Sequence, residues 1–477
     1  PASNAYFPTE NPYTGEPWAQ IAAGTAADVD RAVQAAQTAF DGDWSALTPT
    51  ARGKLLLRLA DLIERDAPRL GEIEVRDNGK LLAEMGMQTK YLAEWYRYYG
   101  GLADKVEGTV IPVDRPDMFC YSRYEPLGVI AMITPWNSPL LLLAWKLAPA
   151  LAAGNTAVIK PSEFTSASTL EFMPLIEEAG FPKGVVNCIT GNGKDAGAPL
   201  VAHPKTAMVA FTGSDTAGEQ IYANAARKIA PVTLELGGKS PNIVFADADF
   251  EAAIMGTISG IFAASGQTCT AGSRLLVERP LHDRFVDRLV EVASQAKIGD
   301  PMAADTHVGP ITTPPQFAKV LHYIETAQKE GATCVLGGNP YTGPGAKGNL
   351  FIEPTIFTGV TNQMTIAQEE VFGPVLAVIP FDSEEEAVQI ANGTIFGLAA
   401  GVWTTDLARA LRMTEKLKTG MVWVNTYRAV SYTTPFGGTK RSGLGRECGQ
   451  QAIKEFMEVK TVWIAQKTAT TNPFIMR

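Results

Sequence analysis

A cysteine at position 269 lies in a segment of small and polar residues, Ser265-Gly266-Gln267-Thr268-Cys269-Thr270-Ala271-Gly272. Apolar residues at helical spacing predict a helix over residues 249–264, and the apolar residues 274–277 predict a short buried strand. We therefore expect Cys269 on a turn between two packed elements, where a thiol can meet a substrate. Such a thiol suits nucleophilic catalysis, but this segment alone is equally consistent with a semi-buried structural cysteine.

Residues that could assist this thiol follow predicted strands in the preceding part of the chain. Five short apolar strands alternate with helices between residues 128 and 236, a pattern that predicts βαβ units and a parallel sheet. The strands are followed by Trp136-Asn137, Lys160-Pro161-Ser162-Glu163, Gly191-Asn192-Gly193, Gly213-Ser214 and Glu235-Leu236-Gly237-Gly238. Because the carboxyl ends of parallel strands meet at one edge of a sheet, we expect these residues to share a ligand-binding crevice.

These residue types have the chemistry that a cysteine nucleophile requires. Thiolate attack on a carbonyl needs hydrogen-bond donors for the oxyanion, an acceptor for the electrons or leaving group, and a base that activates water. The Asn137 side chain and the backbone N–H of Cys269 could supply the donors. Glu235 ends an apolar strand, where desolvation raises the pKa of a carboxylate and suits it to general-base catalysis. The residues predict a cysteine enzyme.

A nucleotide site is predicted beside the thiol. Lys160 and Glu163 could bind the two hydroxyls of an adenosine ribose, and Gly213 and Ser214 open a helix whose N-terminus could hold a pyrophosphate. The dinucleotide signature G-x-G-x-x-G is absent, and the glycines of this region have another spacing, at Gly191, Gly193 and Gly197.

Composition describes a globular protein with a large core. The chain has 477 residues, 46% hydrophobic and 19% charged, which is enough for about three domains. The net charge of −9 is spread along the chain without a basic block, so we expect no nucleic-acid partner. The most apolar region, residues 127–159, is interrupted by prolines, a lysine and an asparagine, and we expect buried core rather than a membrane span.

The five cysteines are scattered, odd in number and without C-x-x-C spacing. This pattern argues against a disulfide framework or a zinc site and is typical of a reducing compartment, so we expect a cytoplasmic protein. The four histidines form no metal-ligand pattern, and we expect no bound metal. The first residues lack a basic region followed by an apolar one, so we expect no secretory signal.

Other parts of the chain carry packing signals rather than chemistry. Residues 1–25 are predicted to form an irregular arm. Amphipathic helices are predicted to follow, over residues 26–40, 50–66 and 68–79. Residues 108–113 and 119–124 predict a two-stranded ribbon, which is marginal alone and is expected to dock on something, such as another subunit. Beyond Cys269, alternating helices and strands predict a second α/β unit.

Seven motifs, taken together, resemble those of the NAD(P)-dependent aldehyde dehydrogenase superfamily. In chain order they are Pro135-Trp136-Asn137, Lys160-Pro161-Ser162-Glu163, Phe211-Thr212-Gly213-Ser214, Leu234-Glu235-Leu236-Gly237-Gly238-Lys239, Gly266-Gln267-Thr268-Cys269, Glu369-Glu370-Val371-Phe372-Gly373-Pro374 and Pro435-Phe436-Gly437-Gly438. Each motif is weak alone, but the series follows the family order over nearly the whole chain.

The resemblance implies an α/β fold with two doubly wound α/β domains, one for the cofactor and one for catalysis, and a small β oligomerisation ribbon. The implied domains are an NAD-binding domain in residues 1–107 and 127–238, a catalytic domain in 239–445, and the ribbon with the C-terminal tail in 108–126 and 457–477. Relatives assemble as dimers or tetramers, so a homo-oligomer is expected.

The resemblance also implies catalytic roles. Cys269 would form a thiohemiacetal with an aldehyde, and Asn137 with the Cys269 N–H would bind the oxyanion. Hydride transfer to nicotinamide would leave a thioester, which water activated by Glu235 would hydrolyse. Lys146 and Glu447 match a pair proposed to relay protons from this base, although a structural ion pair explains them equally well.

Cofactor and substrate positions are implied in the same way. The matching cofactor residues are Trp136, Lys160, Glu163, Gly193, Gly213, Ser214, Leu236, Glu370 and Phe372. A 2′-phosphate would lie against the Glu163 carboxylate, so we expect NAD rather than NADP. The matching positions of the aldehyde tunnel are Ser138, Leu141, Leu142, Trp145, Thr268, Thr270, Arg428, Val430 and Phe436.

Two tunnel positions bear on the substrate. Ser138 stands where many relatives carry a bulky aromatic residue, which predicts a wider tunnel mouth. Arg428 could meet a substrate carboxylate, although a surface arginine without substrate contact is the simpler interpretation. We therefore expect a semialdehyde acid or a bulky or aromatic aldehyde.

Three alternatives remain open at this point. They are a CoA-acylating dehydrogenase, although such relatives lack the glutamate present here as Glu235, a thiol-dependent esterase, and a non-catalytic binding protein with the same fold.

Overall fold

The computed structural model describes residues 1–467 and 474. It begins with an antiparallel hairpin of β1 (Tyr6–Asn11) and β2 (Glu16–Ala22). The prediction of an irregular arm in this region is wrong. Pro8, Pro17 and a bulge between Thr9 and Glu10 interrupt the alternation of apolar and polar residues by which a strand is recognised.

Four helices follow the hairpin. They are α1 (Ala26–Asp41), α2 (Asp43–Ala46), α3 (Pro49–Asn78) and α4 (Leu82–Leu102). The predicted separate helices over 50–66 and 68–79 are one helix of 30 residues, with Pro68 inside it. Proline removes a backbone hydrogen bond, but buried residues on both sides of it, including Leu59, Ile63 and Leu70, belong to one core cluster with Leu92 and Tyr96 of α4. Tertiary packing therefore keeps the helix continuous.

The ribbon strands β3 (Val110–Ile111) and β4 (Met118–Pro126) lead into the first large sheet. Its elements are β5 (Val129–Ile133), α5 (Pro139–Ala153), β6 (Thr156–Lys160), α6 (Ala167–Glu178), β7 (Val186–Cys188), a π-helical turn (Gly193–Gly197) with α7 (Ala198–Ala202), β8 (Thr206–Thr212), α8 (Asp215–Ala226) and β9 (Val232–Glu235). The five strands are parallel, in the order β9-β8-β5-β6-β7. This confirms the predicted βαβ series.

A second sheet follows, with seven strands. Its elements are β10 (Pro241–Val244), α9 (Phe250–Ile261), β11 (Arg274–Glu278), α10 (His282–Ala293), α11 (Pro314–Lys329), β12 (Thr333–Leu336), β13 (Thr355–Thr358), α12 (Thr365–Gln368), β14 (Val375–Phe381), α13 (Glu384–Asn392), β15 (Ala399–Trp403), α14 (Leu407–Lys416) and β16 (Met421–Val424). The order is β12-β13-β14-β11-β10-β15-β16, and only β12 is antiparallel to its neighbour. Strands β10 and β13 were not predicted from the sequence.

The last described segment returns to the first sheet and to the ribbon. Strand β17 (Gly443–Leu444) pairs antiparallel with β9, although the sequence places these residues in the expected catalytic domain. After α15 (Ala452–Glu455), β18 (Met457–Ala465) pairs with β4, and the ribbon has the order β18-β4-β3. Residues 468–473 and 475–477 of the expected tail lie outside the described residues.

Three further observations concern the described part of the chain. None of its helices is both long and apolar enough to cross a membrane. All five cysteines are unpaired. Within the same residues, no group of three His, Cys, Asp or Glu side chains is placed to hold a metal ion.

Candidate active site

The Cys269 loop is held in a constrained backbone conformation. After α9, a 3-10 turn carries Ala264 and Ser265 at φ values of 54° and 52°, in the left-handed region that non-glycine residues rarely adopt. A Cβ on Gly266 would lie 2.0 Å from a carbonyl oxygen of the facing loop, so only glycine fits there. The Ser265 hydroxyl anchors the turn by donating to the Gly309 carbonyl at 2.8 Å. This rigid turn presents Cys269 at a fixed place.

The thiol of Cys269 is half-buried beside Asn137. Asn137 Nδ2 donates one hydrogen bond to the Gln267 carbonyl at 3.0 Å, which orients the amide and leaves its second N–H for a substrate oxygen. Burial, and to a smaller extent the charges of the nearby Glu370 and Glu235 carboxylates, raise the pKa of the Cys269 thiol to about 12. The thiol is therefore neutral near pH 7 unless a base or a positive charge assists its ionisation.

Glu235 ends β9 and is 3% exposed, with both carboxylate oxygens lacking a hydrogen-bond partner among the described residues. Burial raises the pKa of Glu235 well above its usual range, and the negative charge of Glu447 adds to the rise. A Cβ on Gly437 would lie 2.7 Å from Glu235 Oε1, so the absence of a side chain there makes room for the carboxyl group. A buried, unpartnered carboxyl group with a raised pKa is suited to accept a proton near neutral pH.

Near this carboxylate lies a buried ion pair, of which the second carboxylate oxygen, Glu447 Oε2, has no hydrogen-bond partner among the described residues. The buried ammonium of Lys146 forms an ion pair with Glu447 and donates to the Thr212 hydroxyl at 2.5 Å. Burial raises the pKa of Glu447, while Lys146 lowers it. Phe436 and Glu447 exchange backbone hydrogen bonds of 2.7 and 2.8 Å, which hold this segment against the site. The structure thus brings the predicted pair together near Glu235.

One cleft joins the thiol and the base to many of the predicted cofactor positions. The predicted residues that line it are Trp136, Asn137, Leu142, Gly213, Ser214, Glu235, Leu236, Cys269, Glu370 and Phe372. Glu370 Oε1 accepts a hydrogen bond from the Gly238 N–H at 3.0 Å, and a Cβ on Gly237 would lie 2.3 Å from Glu370 Oε2. Burial raises the pKa of Glu370 to about 7. The Trp136 and Phe372 rings meet edge to face at 5.2 Å.

A second cavity shares Trp136, Gly213 and Ser214 with the first and contains the remaining predicted cofactor residues, Lys160, Glu163 and Gly193. Lys160 ends β6, and its ammonium lies 3.3 Å from Glu163 Oε2. Ser214 is the N-cap of α8, and its hydroxyl accepts a hydrogen bond from the Ala217 N–H at 3.2 Å. A cradle with a helix N-terminus, an ion pair and side-chain-free glycines fits an extended dinucleotide.

Three residues that line the first cleft were missed by sequence reasoning. Gln316 Nε2 donates to the carbonyls of Val371 and Phe372 at 2.8 and 3.0 Å, which holds Phe372 at its left-handed φ of 56°. Lys319, one turn farther along α11, lowers the pKa of Glu370 by its charge. Thr212 lies inside a recognised motif, but its bond to Lys146 appears only in three dimensions. In the sequence, Gln316 and Lys319 cannot be distinguished from other polar residues of an amphipathic helix.

On the aldehyde side, the predicted residues Trp145 and Phe436 are in contact, with ring centroids 4.6 Å apart. Trp145 also stacks on Trp95 at 6.1 Å, and Tyr432 lies 5.9 Å from Trp95. Tyr91 completes this aromatic cluster at 5.8 Å from Tyr432. The sequence did not identify Trp95, Tyr91 or Tyr432 as site residues. Leu141 and Val430 are partly buried against the same core.

The other predicted tunnel residues have individual surroundings. The Ser138 hydroxyl accepts a hydrogen bond from the buried Lys80 ammonium at 3.1 Å, so the ammonium group occupies the space next to this hydroxyl. Thr268 and Thr270 flank Cys269, and the Thr270 carbonyl accepts a hydrogen bond from the Tyr427 hydroxyl at 3.0 Å.

Arg428 lies in the loop that follows β16. It is half-buried with a φ of 64°, and one guanidinium N–H donates to the Ser259 carbonyl at 3.0 Å.

Comparison with known proteins settles the family. The sequence model that describes the aldehyde dehydrogenase family matches residues 1–462 of this chain. The chain belongs to the aldehyde dehydrogenase family. The resemblance inferred from the seven motifs is thereby confirmed.

Similar members of this family include enzymes with different substrates. An Acinetobacter baylyi (Z)-2-((N-methylformamido)methylene)-5-hydroxybutyrolactone dehydrogenase is 50% identical, with 99% of this chain and 97% of that protein covered. A Bacillus subtilis betaine aldehyde dehydrogenase is 44% identical, with coverage of 97% and 95%.

Solved aldehyde dehydrogenases share the fold closely. A Staphylococcus aureus betaine aldehyde dehydrogenase in complex with NAD⁺ has a TM-score of 0.98 at 40% identity, with 100% of this chain and 95% of that chain covered. A Bacillus cereus aldehyde dehydrogenase has a TM-score of 0.95 at 44% identity, with coverage of 98% and 94%. The predicted fold class is confirmed.

Proposed function

We propose that this protein oxidises an aldehyde to its carboxylic acid with NAD, by way of a cysteine thioester that water hydrolyses. The observation that carries the proposal is the meeting of Cys269, Asn137 and Glu235 in one cleft that continues into the dinucleotide cradle. Family membership supplies the reaction class. The roles of individual residues rest on the geometry of the cleft.

The first step is attack of the Cys269 sulfur on the aldehyde carbon, which forms a C–S bond and converts the carbonyl oxygen to an oxyanion. The free N–H of Asn137 Nδ2 and the backbone N–H of Cys269 donate to that oxyanion. Because burial raises the pKa of the thiol, its proton must be accepted by a neighbouring group, and Glu235 is the carboxylate without a partner. NAD held by the predicted cofactor residues would supply the acceptor for the hydride that leaves the same carbon, and the oxyanion would re-form the carbonyl group of the thioester.

The second step is hydrolysis of the resulting thioester. After the thiol proton has left Glu235, this carboxylate takes a proton from water, whose oxygen attacks the acyl carbon. The C–S bond then breaks, and Glu235 returns that proton to the departing sulfur, which restores the thiol. The raised pKa of Glu235 makes its carboxylate a stronger base than an exposed glutamate. We propose that the thiol proton leaves Glu235 between the two steps through the neighbouring Lys146–Glu447 pair, with Thr212 as the third member of that group.

We propose NAD as the preferred cofactor over NADP. The side chain of Glu163 lines the cavity next to the Lys160 ammonium, where a 2′-phosphate would meet a like charge. The wild type should show at least tenfold higher kcat/KM with NAD than with NADP. Glu163→Gln should reduce this ratio of kcat/KM values, because it removes the repulsion between the carboxylate and the 2′-phosphate. Equal efficiency with both cofactors in the wild type would contradict this preference.

We propose a homodimer or homotetramer that assembles through the ribbon. Apolar side chains of the ribbon remain exposed in the single chain, with Phe119 at 39%, Trp463 at 53% and Ile464 at 47%. Phe119 and Ile464 are register partners on β4 and β18, so the apolar surface is continuous. Light scattering should give a molar mass that is a multiple of 51.1 kDa, and Trp463→Glu should lower this mass toward that of a single chain.

We propose a cytoplasmic location. The five cysteines are unpaired although three of them are only partly buried, which suits a reducing compartment. Cell fractionation with an antibody against the native chain tests this location.

We propose a substrate that is either a semialdehyde acid or a bulky or aromatic aldehyde. The aromatic cluster around Trp145 and Phe436 favours a flat or bulky group, and the cations Lys80 and Arg428 favour an anionic one.

The deciding experiment follows NADH absorbance over a panel of aldehydes, with NAD or NADP and with or without CoA. Reduction that needs no CoA and yields free acid is expected. Reduction only with CoA would indicate an acylating dehydrogenase. Ester cleavage independent of NAD, with no NADH from any aldehyde, would support the thiol esterase. No turnover of either kind, with Cys269 unreactive toward electrophiles, would support the binding protein.

A further inference from the structure

Lys80 is a buried cation close to the reaction centre that the proposed mechanism does not use. It lies on the turn between α3 and α4 and is 3% exposed. Its ammonium donates to the Ser138 hydroxyl at 3.1 Å. Ser138 directly follows Asn137, the proposed oxyanion donor, and Cys269 is close enough to act on Lys80 by its charge, so this contact lies in the neighbourhood of the thiol.

The backbone around Lys80 is fixed by contacts with other loops. The Lys80 N–H donates to Asn78 Oδ1 at 2.9 Å, and the Asn78 carbonyl accepts a hydrogen bond of 2.6 Å from the Thr312 hydroxyl. The Leu82 N–H donates to the Pro301 carbonyl at 2.8 Å. These bonds, rather than an ion pair of the ammonium itself, hold the lysine in the interior.

The ammonium is short of acceptors. It has three N–H donors, and Ser138 is the one partner it has among the described residues. Neither of the carboxylates whose charges act on the ammonium accepts a hydrogen bond from it: Glu84 Oε1 accepts from the Ala264 N–H at 3.0 Å while its Oε2 has no partner among the described residues, and Glu74 Oε1 accepts from the Leu140 N–H at 2.9 Å. A buried cation with a single neutral partner is costly unless a ligand supplies the missing acceptors.

The charges around Lys80 connect it with both the nucleophile and the outer cation. Burial lowers the pKa of Lys80 to about 8, the charge of Glu84 raises it, and the charge of Arg428 lowers it. Glu74 and the Cys269 thiolate raise the pKa of Lys80 to a smaller extent. Lys80 and Arg428 therefore act on the same region beside Cys269, and together they attract an anion.

We propose that Lys80 and Ser138 form a subsite for the carboxylate of an oxo-carboxylic acid whose aldehyde end reacts at Cys269. This inference rests on the proposed function and selects the semialdehyde acid from its two substrate classes. The ammonium and the hydroxyl donate to the two carboxylate oxygens, and Arg428 adds positive charge at longer range. Lys80 is thus a specificity-determining residue rather than part of the bond-making machinery.

The test compares two aldehydes of equal chain length, 4-oxobutanoate and butanal, in steady-state NADH formation. Wild type should prefer 4-oxobutanoate by at least tenfold. Lys80→Met should lower kcat/KM for 4-oxobutanoate roughly 30-fold or more, mainly through KM, because it leaves a buried carboxylate unpaired. The kcat/KM for butanal should change less than threefold in the same variant. Lys80→Arg should recover part of the loss, and Lys90→Met, an exposed lysine of α4, should match wild type.

A binding measurement complements the kinetics. Succinate should compete with 4-oxobutanoate at least tenfold more strongly than butanoate in the wild type, and Lys80→Met should remove that difference. If Lys80→Met proves unstable by melting temperature, Ser138→Ala takes its place, with an expected loss of about fivefold for 4-oxobutanoate alone.

The outcomes separate this inference from the proposed function. Equal losses for both aldehydes in a folded variant would show that Lys80 is merely structural, and no loss for either would show that the subsite does not bind carboxylate. Both results overturn the inference, as does a wild type that oxidises butanal as well as 4-oxobutanoate. If the wild type forms NADH from no aldehyde at all, the proposed function itself fails.

Discussion

The cofactor side and the aldehyde side of the active site are built differently. On the cofactor side, the functional groups belong to short contiguous motifs at the ends of parallel strands, such as Lys160 after β6 and Ser214 after β8. On the aldehyde side, contacts join elements far apart in the chain, as when Tyr432 packs on Trp95 of α4. The proposed cofactor residues of these motifs gather at one edge of the first sheet, whereas the packing of helices and loops shapes the proposed aldehyde side.

This difference has a functional consequence. Changes at the reaction centre should affect every aldehyde alike, because each substrate passes through the same bonds to Cys269. Changes on the aldehyde side should affect substrates selectively, because each fills that space differently. Four predictions test this division, from the largest expected effect to the smallest.

Replacing the nucleophile should have the largest effect. In Cys269→Ala, no C–S bond can form, and NADH formation should fall by roughly 10⁴-fold or more with every aldehyde. Calorimetric titration should show that NAD still binds. The control is Cys334→Ala, another partly buried free cysteine, which should retain wild-type rates. Activity that survives in Cys269→Ala with one class of aldehyde would remove the cysteine from the mechanism.

Removing the base should separate the two steps. Glu235→Gln keeps the shape but cannot accept a proton, so turnover should fall about 10²- to 10⁴-fold for all aldehydes. If another base can ionise Cys269, rapid mixing should still show a burst of one NADH per site, since the thioester forms but is not hydrolysed. If Glu235 alone ionises the thiol, the burst should slow with the turnover. Unchanged turnover would contradict both proposed roles of Glu235, as acceptor of the thiol proton and as the base that activates water. The control is Glu10→Gln, which alters an exposed glutamate.

Opening the aromatic cluster should affect aldehydes selectively. Tyr432 contacts the rings of Tyr91, Trp95 and Tyr98, and each such pair contributes about 0.5–1.5 kcal/mol. In Tyr432→Leu, KM for benzaldehyde should rise about tenfold, while KM for acetaldehyde changes little. Tyr6→Leu, which alters an exposed tyrosine, is the matched control. Equal changes in KM for both aldehydes would contradict the proposed difference between the cofactor side and the aldehyde side.

The smallest effect concerns the pH profile. Catalysis needs Glu235 deprotonated, so the rate should rise with pH through its raised pKa. The negative charge of Glu447 contributes to that rise in pKa, while Lys146 lowers the pKa. Glu447→Gln removes the negative charge and leaves the positive one, so the acid limb of kcat should move to lower pH, by the same amount for every aldehyde. A move to higher pH, or none, would show that Glu447 does not act on Glu235.

Sequence reasoning succeeded where local pattern and position coincide. The five strands of the first sheet follow from short apolar runs between helices, and their polar ends indicated Asn137, Glu235 and Lys160. It failed where tertiary contacts override the local signal. Pro68 suggested a helix boundary, yet packing against α4 keeps α3 continuous. Strand β10 lies between motif residues and gave no separate signal.

The same limit applied to individual site residues. Gln316 is indistinguishable from other polar residues of an amphipathic helix until its bonds to the Val371 and Phe372 carbonyls are seen. Lys80 follows a glycine in an apparent surface turn, and only the structure shows its ammonium buried against Ser138. No periodicity or spacing connects these residues with Cys269, because they reach the site through contacts distant in sequence.

By itself, the sequence determined the family and predicted a nucleophile, an oxyanion donor and a base, because these predictions depend on residue types in short contiguous segments. The tertiary structure alone decided what surrounds them: the unpartnered carboxyl group of Glu235, the ion pair behind it, the aromatic cluster and the buried Lys80 ammonium. The physical reason is that burial and charge shift pKa values and select substrates through the whole packed environment, which folding assembles from distant parts of the chain.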